Sequence, residues 1–106
     1  MQHQSDFLFV QAVLGEAMRE RRLVRATYNS AQLTLAPHQI VLRNEAFYLG
    51  AVNPNKGRRV DEDPALGYFK IDGLSQVTMA EEVFEPLPAD ACVPPRPDDR
   101  VIAALD

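Results

Sequence analysis

The feature that most constrains this chain is a change in its hydrophobic period at "RERR", residues 19–22. Before that point, apolar residues recur at helical spacing and share one face: Phe7, Val10, Val13, Leu14, Ala17 and Met18. Ser5 suits the N-terminal cap of such a helix. Arg19, Arg21 and Arg22 suit its last turn, because the helix dipole favours cations there. After residue 22 the period falls to two, so the chain predicts one amphipathic helix followed by β-strands.

Short stretches after the helix alternate between apolar and polar residues as half-buried strands do. They are "LVRATY" (23–28), "LTLAPHQIVL" (33–42), "AFYLGAV" (46–52), "YFKID" (68–72) and "LSQVTM" (74–79). "NSAQ" and "RNE" predict tight turns, and Pro37 predicts a bulge or bend, because proline cannot donate to a strand ladder. Gly50 predicts a bend or a close approach in the third strand. One helix and about five strands predict a mainly β domain, a small SH3-like or Sm-like barrel whose helix covers one open end.

The composition changes near the C-terminus. "PLPADACVPPRP", which begins at Pro86, holds five of the eight prolines and favours extended, polyproline-like structure. The final "DDRVIAALD" predicts one or two helical turns. We therefore expect a helix-plus-barrel domain over residues 1–86 and a peripheral tail over residues 87–106. Leu8 and Phe9 fall outside the apolar face of the helix, which suggests contact with a partner or with a second copy of the chain.

Charge, cysteine content and hydropathy count against several classes of protein. A net charge of −4 and a pI near 5.1 count against a domain whose main function is to bind phosphate groups. Cys92 is the only cysteine, so an internal disulfide is excluded. The first residues lack the features of a signal peptide, and no apolar run approaches the roughly 20 residues that span a bilayer. We expect a cytoplasmic protein without a membrane segment.

The residues that catalysis needs are scarce. His3 and His38 are the only histidines, and the sequence has neither a nucleophile elbow nor a phosphate-cradling glycine loop. The acidic run "DEDP" at residues 61–64 is more typical of a solvated loop than of a metal site. We therefore expect no enzyme activity, no metal and no cofactor.

A binding role has better support. Lys56, Arg58 and Arg59 crowd the loop "NPNKGRR", and Lys70 is a further cation that would complete an anion site with them. The alternative is that these cations merely offset the acids at 61–63. Lys70 also shares a predicted strand face with Asp72, so the two would pair with each other.

Three further side chains are candidates for ligand contact. Tyr28 and Tyr48 would stack on a ligand, or else form part of the core with their hydroxyls satisfied. His38, which follows Pro37, would contact a ligand or act as a structural hydrogen-bonding group. The candidate ligand-binding set is therefore Tyr28, His38, Tyr48, Arg58, Arg59 and Lys70.

The order of these motifs resembles the WYL domain family. "AMRERRLVRATY", "LTLAPHQIVLRNEAFYLGAVN" and "GYFKIDGLSQVTM" follow that family's helix, strand and "f.ld" segments between residues 12 and 86. Tyr28 matches the tyrosine of the first strand and Pro37 the mid-strand proline. Tyr48–Leu49 matches the "YL" of the naming motif, with Phe47 in place of tryptophan. The segment 69–72 matches "f.ld".

This resemblance implies an SH3-like or Sm-like barrel behind a helix and a sensing or regulatory role. WYL domains usually lie beside a DNA-binding helix-turn-helix or in phage-defence and DNA-repair proteins. They are thought to bind a nucleotide-type ligand or single-stranded nucleic acid through basic and aromatic residues. Two arginines of the family pattern are replaced here, by Leu33 and Gly73. The chain has no helix-turn-helix of its own, so a role in transcription regulation would act through a partner.

Three hypotheses follow. The first is a stand-alone regulatory module that binds a nucleotide or another small anion, or a protein partner, with Arg58, Arg59 and Lys70 in the site. The second is a binder of single-stranded nucleic acid that stacks bases on Tyr28 and Tyr48. The third is an interaction or oligomerisation module that has lost its ligand site.

Overall fold

The computed structural model describes residues 3–53, 66–92 and 97–105. It contains one helix, six strands and two short 3₁₀ helices, at Ile71–Gly73 and Ala89–Cys92. The longer elements are α1 (His3–Glu20), β1 (Arg22–Tyr28), β2 (Ala31–Arg43), β3 (Ala46–Val52), β4 (Gly67–Lys70), β5 (Leu74–Val83) and β6 (Arg100–Ala104). The prediction of a mainly β domain with an N-terminal helix is therefore confirmed.

The strands form one antiparallel sheet in the order β4-β3-β2-β1-β5, and β6 pairs with β2. The N-terminal half of β2 pairs with β1, and its C-terminal half pairs with β3 on one edge and β6 on the other. A register shift between Pro37 and Gln39 separates the two halves, as expected for a strand that contains a proline. Within the described residues β4 and β5 end the sheet without pairing, so the predicted barrel stays a prediction.

Two tight turns set the register of the first three strands. Asn29 and Ser30 have φ values of 51° and 67°, and Asn44 and Glu45 have values of 50° and 66°. Two consecutive positive φ angles are the mark of a type I′ hairpin, whose twist matches that of the flanking strands. The turns predicted at "NSAQ" and "RNE" are confirmed.

The helix packs its apolar face on the sheet. Val10, Leu14, Ala17 and Met18 are buried. The strands contribute Val24, Leu35, Leu49 and Val77 to the same core, and the first 3₁₀ helix contributes Ile71. The helix ends at Glu20, so the prediction that Arg21 and Arg22 lie in its last turn is wrong. Arg21 has a φ of 54°, a left-handed conformation that terminates helices. Arg22 already belongs to β1, where its Nε donates to the carbonyl of Ala80 at 2.8 Å.

The C-terminal segment departs most from expectation. The helical turns predicted for 98–106 are absent from the described residues 98–105, because Arg100–Ala104 forms strand β6. Ile40 pairs with Ala103 and Leu42 with Arg100, so the segment satisfies backbone groups along an edge of β2 that would otherwise be open. Residues 100–104 are therefore part of the sheet rather than peripheral to it, while the division of the chain near residue 86 stays a prediction. Among the described residues, no helix is long and apolar enough to cross a membrane.

Candidate functional site

Alternation along three strands places a charged and aromatic group on the face of the sheet opposite the core. Val41 of β2 pairs with Tyr48 of β3, Gly50 of β3 pairs with Tyr68 of β4, and Arg43 lies two residues after Val41. Side chains two residues apart share a face of a strand. We call Arg43, Tyr48, Tyr68 and Asp99 the arginine–tyrosine cluster.

The arginine of this cluster is held by a carboxylate from the C-terminal segment. Arg43 Nε and Nη2 donate to the two carboxylate oxygens of Asp99 at 2.8 and 2.9 Å. The side chains are nearly buried, with 10% of Arg43 and 0% of Asp99 exposed. The hydrogen bonds to Asp99 raise the pKa of Arg43 above its ordinary value. This is the bidentate geometry by which guanidinium groups recognise carboxylates and phosphates.

Two tyrosine rings flank the guanidinium. Arg43 Cζ lies 4.7 Å from the ring centroid of Tyr48 and 5.3 Å from that of Tyr68. These distances lie within the range of cation–π attraction. Burial, followed by the charge of Asp99, raises the pKa of Tyr68. The cluster thus places two aromatic rings around a guanidinium whose charge Asp99 balances.

A glycine makes room for the next layer of contacts. The Tyr68 hydroxyl donates to Gln39 Oε1 at 2.7 Å, and Gln39 Nε2 donates to the carbonyl of Cys92 at 2.8 Å. A Cβ at Gly50 would lie 2.9 Å from Gln39 Cγ and 3.1 Å from Tyr68 Cε2. The close approach predicted at Gly50 is therefore confirmed, and it fixes Tyr68 beside Arg43.

Lys70 lies next to the cluster. It pairs directly with Tyr48 across β3 and β4, so the two side chains share a face, with Cβ atoms roughly 5 Å apart. Lys70 is exposed and forms no ion pair with the residues that the structure describes. The predicted pairing with Asp72 is absent there, because the strand ends at Lys70 and Asp72 belongs to the following 3₁₀ helix.

Tyr28 lies on the core side of the sheet. Its ring meets that of Phe69 edge-on, with centroids 5.3 Å apart and an angle of 84°, and its hydroxyl accepts a hydrogen bond from the Lys70 amide at 3.3 Å. A Cβ at Gly73 would lie only 2.9 Å from Tyr28 Cε1. The ring therefore fills the space into which a side chain at 73 would extend.

His38 is enclosed by backbone groups. It is 2% exposed; Nδ1 lies 2.9 Å from the carbonyl of Ala36, and the amide of Leu87 donates to Nε2 at 3.0 Å. The ring also packs against Phe84 at 5.1 Å. With Nδ1 donating and Nε2 accepting, the imidazole is neutral. Burial lowers its pKa, an effect that the bond to Ala36 opposes in part.

The structure thus brings only part of the predicted site together. Tyr48 and Lys70 are neighbours on one face, while Tyr28 touches the Lys70 backbone from the other side. His38 lies beneath the segment that leads to Leu87. Lys56, Arg58 and Arg59, like the acids at 61–63, lie outside the described residues.

Sequence reasoning missed Arg43, Tyr68 and Asp99. The alternation of β2 and β4 would have placed Arg43 and Tyr68 on the face of Tyr48. Nothing in the sequence links Arg43 to Asp99, which follows it by 56 residues in a segment predicted to be peripheral.

A separate groove opens on the outer side of β1, β2 and β5. Its volume is about 540 Å³. Its lining is largely polar and includes Arg25, Thr27, Gln32, Thr34, Asn53, Gln76 and Thr78. None of the predicted ligand-binding residues that the structure describes lines this groove.

The fold is a small, mainly β domain in which a helix packs on an antiparallel sheet that carries a "YL" pair on its third strand. The family model of the WYL domain matches residues 10–79, and the chain belongs to this family. The match runs from α1 to β5 and includes Tyr28, Tyr48 and Gly73, whereas Asp99 and β6 lie beyond it. No curated protein and no solved structure gives a significant match. Membership of this family suggests a regulatory or ligand-sensing module in general terms.

Proposed function

We propose that this chain is a non-catalytic regulatory module that binds a small anionic ligand of the nucleotide type or a protein partner. In this proposal it acts in the cytoplasm as an accessory to transcription regulation. The observation that carries the proposal is the bidentate contact of Arg43 with a carboxylate between two tyrosine rings. A planar cation with aromatic neighbours suits a ligand that combines a negative group with a flat ring.

The proposed ligand site centres on Tyr48 and Lys70. Tyr48 offers a ring beside Arg43, and Lys70 offers an exposed ammonium group on the same face. Arg58 and Arg59 complete the site in this proposal, on the basis of the sequence alone. Tyr28 and His38 support it indirectly, since Tyr28 holds the Lys70 amide and His38 anchors the chain at Leu87.

Geometry does not favour the single-strand binding hypothesis. Tyr48 lies on the outer face of β3, whereas the Tyr28 ring packs on Phe69, which pairs with the buried Leu49 on the core face. One strand of nucleic acid cannot stack bases on both rings without passing around the sheet edge. Leu33 and Gly73 also lack the guanidinium groups of the family pattern, which removes two phosphate donors.

Calorimetric titration with ADP tests the proposal, with a short single-stranded oligonucleotide as the competing probe. We expect saturable ADP binding that weakens as salt is raised. Lys70→Ala, Arg58→Ala and Arg59→Ala should each weaken it by about 10-fold, the value of one lost charge-assisted hydrogen bond of roughly 1.5 kcal/mol. Arg25→Ala is the matched control, because Arg25 is an exposed cation in the separate polar groove. Unchanged affinity in all three site variants would remove the site.

A protein partner or a second copy of the chain is the second candidate, and exposed apolar residues favour it. Leu8 and Phe9 are 63% and 60% exposed. An apolar groove of about 390 Å³ lies beside them, lined by Phe9, Ala12, Val13, Glu16, Val77, Thr78 and Met79. Light scattering across a hundredfold range of concentration tests self-association, and Phe9→Ser should shift any dimer towards monomer. A concentration-independent monomer refutes self-association.

A further inference from the structure

The carboxylate that fills the arginine–tyrosine cluster comes from the chain itself. Asp99 lies in residues 97–105, which we call the strap, and its side chain is fully buried against Arg43. Within the described residues, Asp99 is the acid that contacts this face, while Arg43 and Lys70 are two cations on it. One carboxylate therefore balances only one of the two positive charges that share this face.

The strap is held mainly by polar contacts. Its strand β6 pairs with four residues of β2, Gln39 to Leu42, and the amide of Leu105 donates to the carbonyl of His38 at 3.0 Å. Its apolar anchorage is small, since Val101 and Ile102 remain 47% and 48% exposed. Only Ala103 and Leu105 pack against the core. Segments with little buried apolar area and an exposed ladder open at low free energy.

We propose that the strap is a displaceable internal ligand, in which Asp99 occupies Arg43 until a phosphate group takes its place. A phosphate carries up to two negative charges and three acceptor oxygens, so it matches Arg43 and Lys70 together where Asp99 matches only Arg43. When the phosphate binds, Asp99 leaves, β6 separates from β2, and the bound anion lies at Arg43 beside Tyr48 and Tyr68. The choice of this face as the anion site rests on the proposed function. The displacement of Asp99 requires a phosphate group but not a nucleotide.

Competition with a tethered group sets the size of the effect. A segment linked to its site competes at an effective concentration in the millimolar range. A simple phosphate compound therefore binds the wild-type chain weakly. Removing the Asp99 charge removes the competitor, so its affinity should rise by roughly tenfold or more.

The test uses the full chain and inorganic pyrophosphate at low salt. Asp99→Asn should bind pyrophosphate at least tenfold more tightly than the wild type. Asp98→Asn is the matched control, because Asp98 is an exposed neighbour whose substitution removes the same formal charge. Arg43→Gln in the Asp99→Asn background should abolish the gain. Equal affinities of the Asp99→Asn and Asp98→Asn variants would overturn the proposal.

A second measurement does not depend on the stability of a variant. Pyrophosphate added to the wild type should accelerate amide hydrogen exchange in β6, at Val101 to Ala104, relative to β1. If pyrophosphate binds without changing exchange in β6, the displacement proposal is wrong. It is also wrong if pyrophosphate at millimolar concentration binds neither the wild type nor the Asp99→Asn variant. ADP binding that depends on Lys70 with unchanged exchange in β6 would leave the proposed function intact and remove the strap alone.

Discussion

Replacing Gly73 by alanine tests whether the Tyr28 ring occupies the space of a side chain at position 73, where the family pattern has an arginine. The new Cβ would lie 2.9 Å from Tyr28 Cε1 and 3.3 Å from Cδ1. The ring cannot yield freely, because it packs edge-on against Phe69 and its hydroxyl accepts the Lys70 amide. Overpacking of this kind costs about 1–3 kcal/mol. Gly73 has no positive φ. Alanine therefore also stabilises the protein by about 0.4–1 kcal/mol, because it lowers the conformational entropy of the unfolded chain. The net expectation is a destabilisation of about 1 kcal/mol, and at most about 2.6 kcal/mol.

Urea unfolding of four proteins separates the two contributions: wild type, Gly73→Ala, Tyr28→Ala and the double variant. Without the Tyr28 ring the steric conflict disappears and only the backbone effect remains. Gly73→Ala should therefore destabilise the wild type and stabilise the Tyr28→Ala protein. This change of sign is a coupling free energy, which a double-mutant cycle measures directly.

The control is Gly15→Ala in the middle of α1. A Cβ at Gly15 meets nothing within 4 Å, so alanine should stabilise both backgrounds by about 1 kcal/mol through helix propensity. If Gly73→Ala destabilises the Tyr28→Ala protein as much as the wild type, the ring does not seal this position and the steric argument fails.

Three further predictions concern stability. Arg43→Lys keeps the charge but loses the bidentate fork, and we expect a loss of about 1.5–3 kcal/mol in urea unfolding; a change below about 0.5 kcal/mol would mean that the Asp99 contact contributes little. The pKa of His38 is lowered in the folded protein, so the unfolded chain binds the proton more readily. The free energy of unfolding should therefore fall as the pH drops below about 6.5 towards the folded pKa. In His38→Asn the free energy of unfolding should change less with pH, and an equal change in both proteins would contradict this. Glu45, at a φ of 66°, should give a gain of up to about 1 kcal/mol on Glu45→Gly, because Asn-Gly favours a type I′ turn; a fall in thermal midpoint would refute it.

Local patterns were enough to predict the helix and the first strands. Helical spacing up to Met18 and alternation from Leu23 onwards reflect which side chains face the core, and that information is local. The two hairpins were predictable for the same reason, since their turn residues adjoin the strands that they connect. The end of α1 was not, because the positive φ of Arg21 carries no clear residue signal.

The strand β6 illustrates what a local pattern cannot supply. "RVIAA" has no strong preference, and proline-rich sequence before it suggested a segment apart from the domain. It becomes a strand because β2 continues past its pairing with β1 and leaves an edge that Arg100–Ala104 covers. The secondary structure of such a segment is determined by unpaired backbone groups on a strand that is distant in sequence. Asp99 was not predicted for the same reason, because its contact with Arg43 is also distant in sequence.

The candidate site was predictable in type and only partly in place. Basic and aromatic residues were expected, and Tyr48 and Lys70 do lie together. Tyr28 was a candidate because a tyrosine on a strand can stack on a ligand, with a core position as the alternative; strand alternation and the contact with Phe69 put its ring on the core side. The partner of Lys70 was expected to be Asp72, but the 3₁₀ helix at Ile71–Gly73 ends the strand first.

The two faces of the sheet differ in character. On the core side, Leu33 packs against the hydrophobic cluster and the Tyr28 ring covers Gly73, so the two positions that carry arginines in the family pattern now contribute to packing. On the outer face, Arg43, Tyr48 and Lys70 provide cationic and aromatic side chains, and the chain supplies its own carboxylate there. A buried charged pair is weak evidence of stabilisation, because an apolar pair of similar volume is often as stable. The strap proposal gives the burial of Arg43 against Asp99 a different role, in which Asp99 is the resting occupant of a site that a phosphate group takes over.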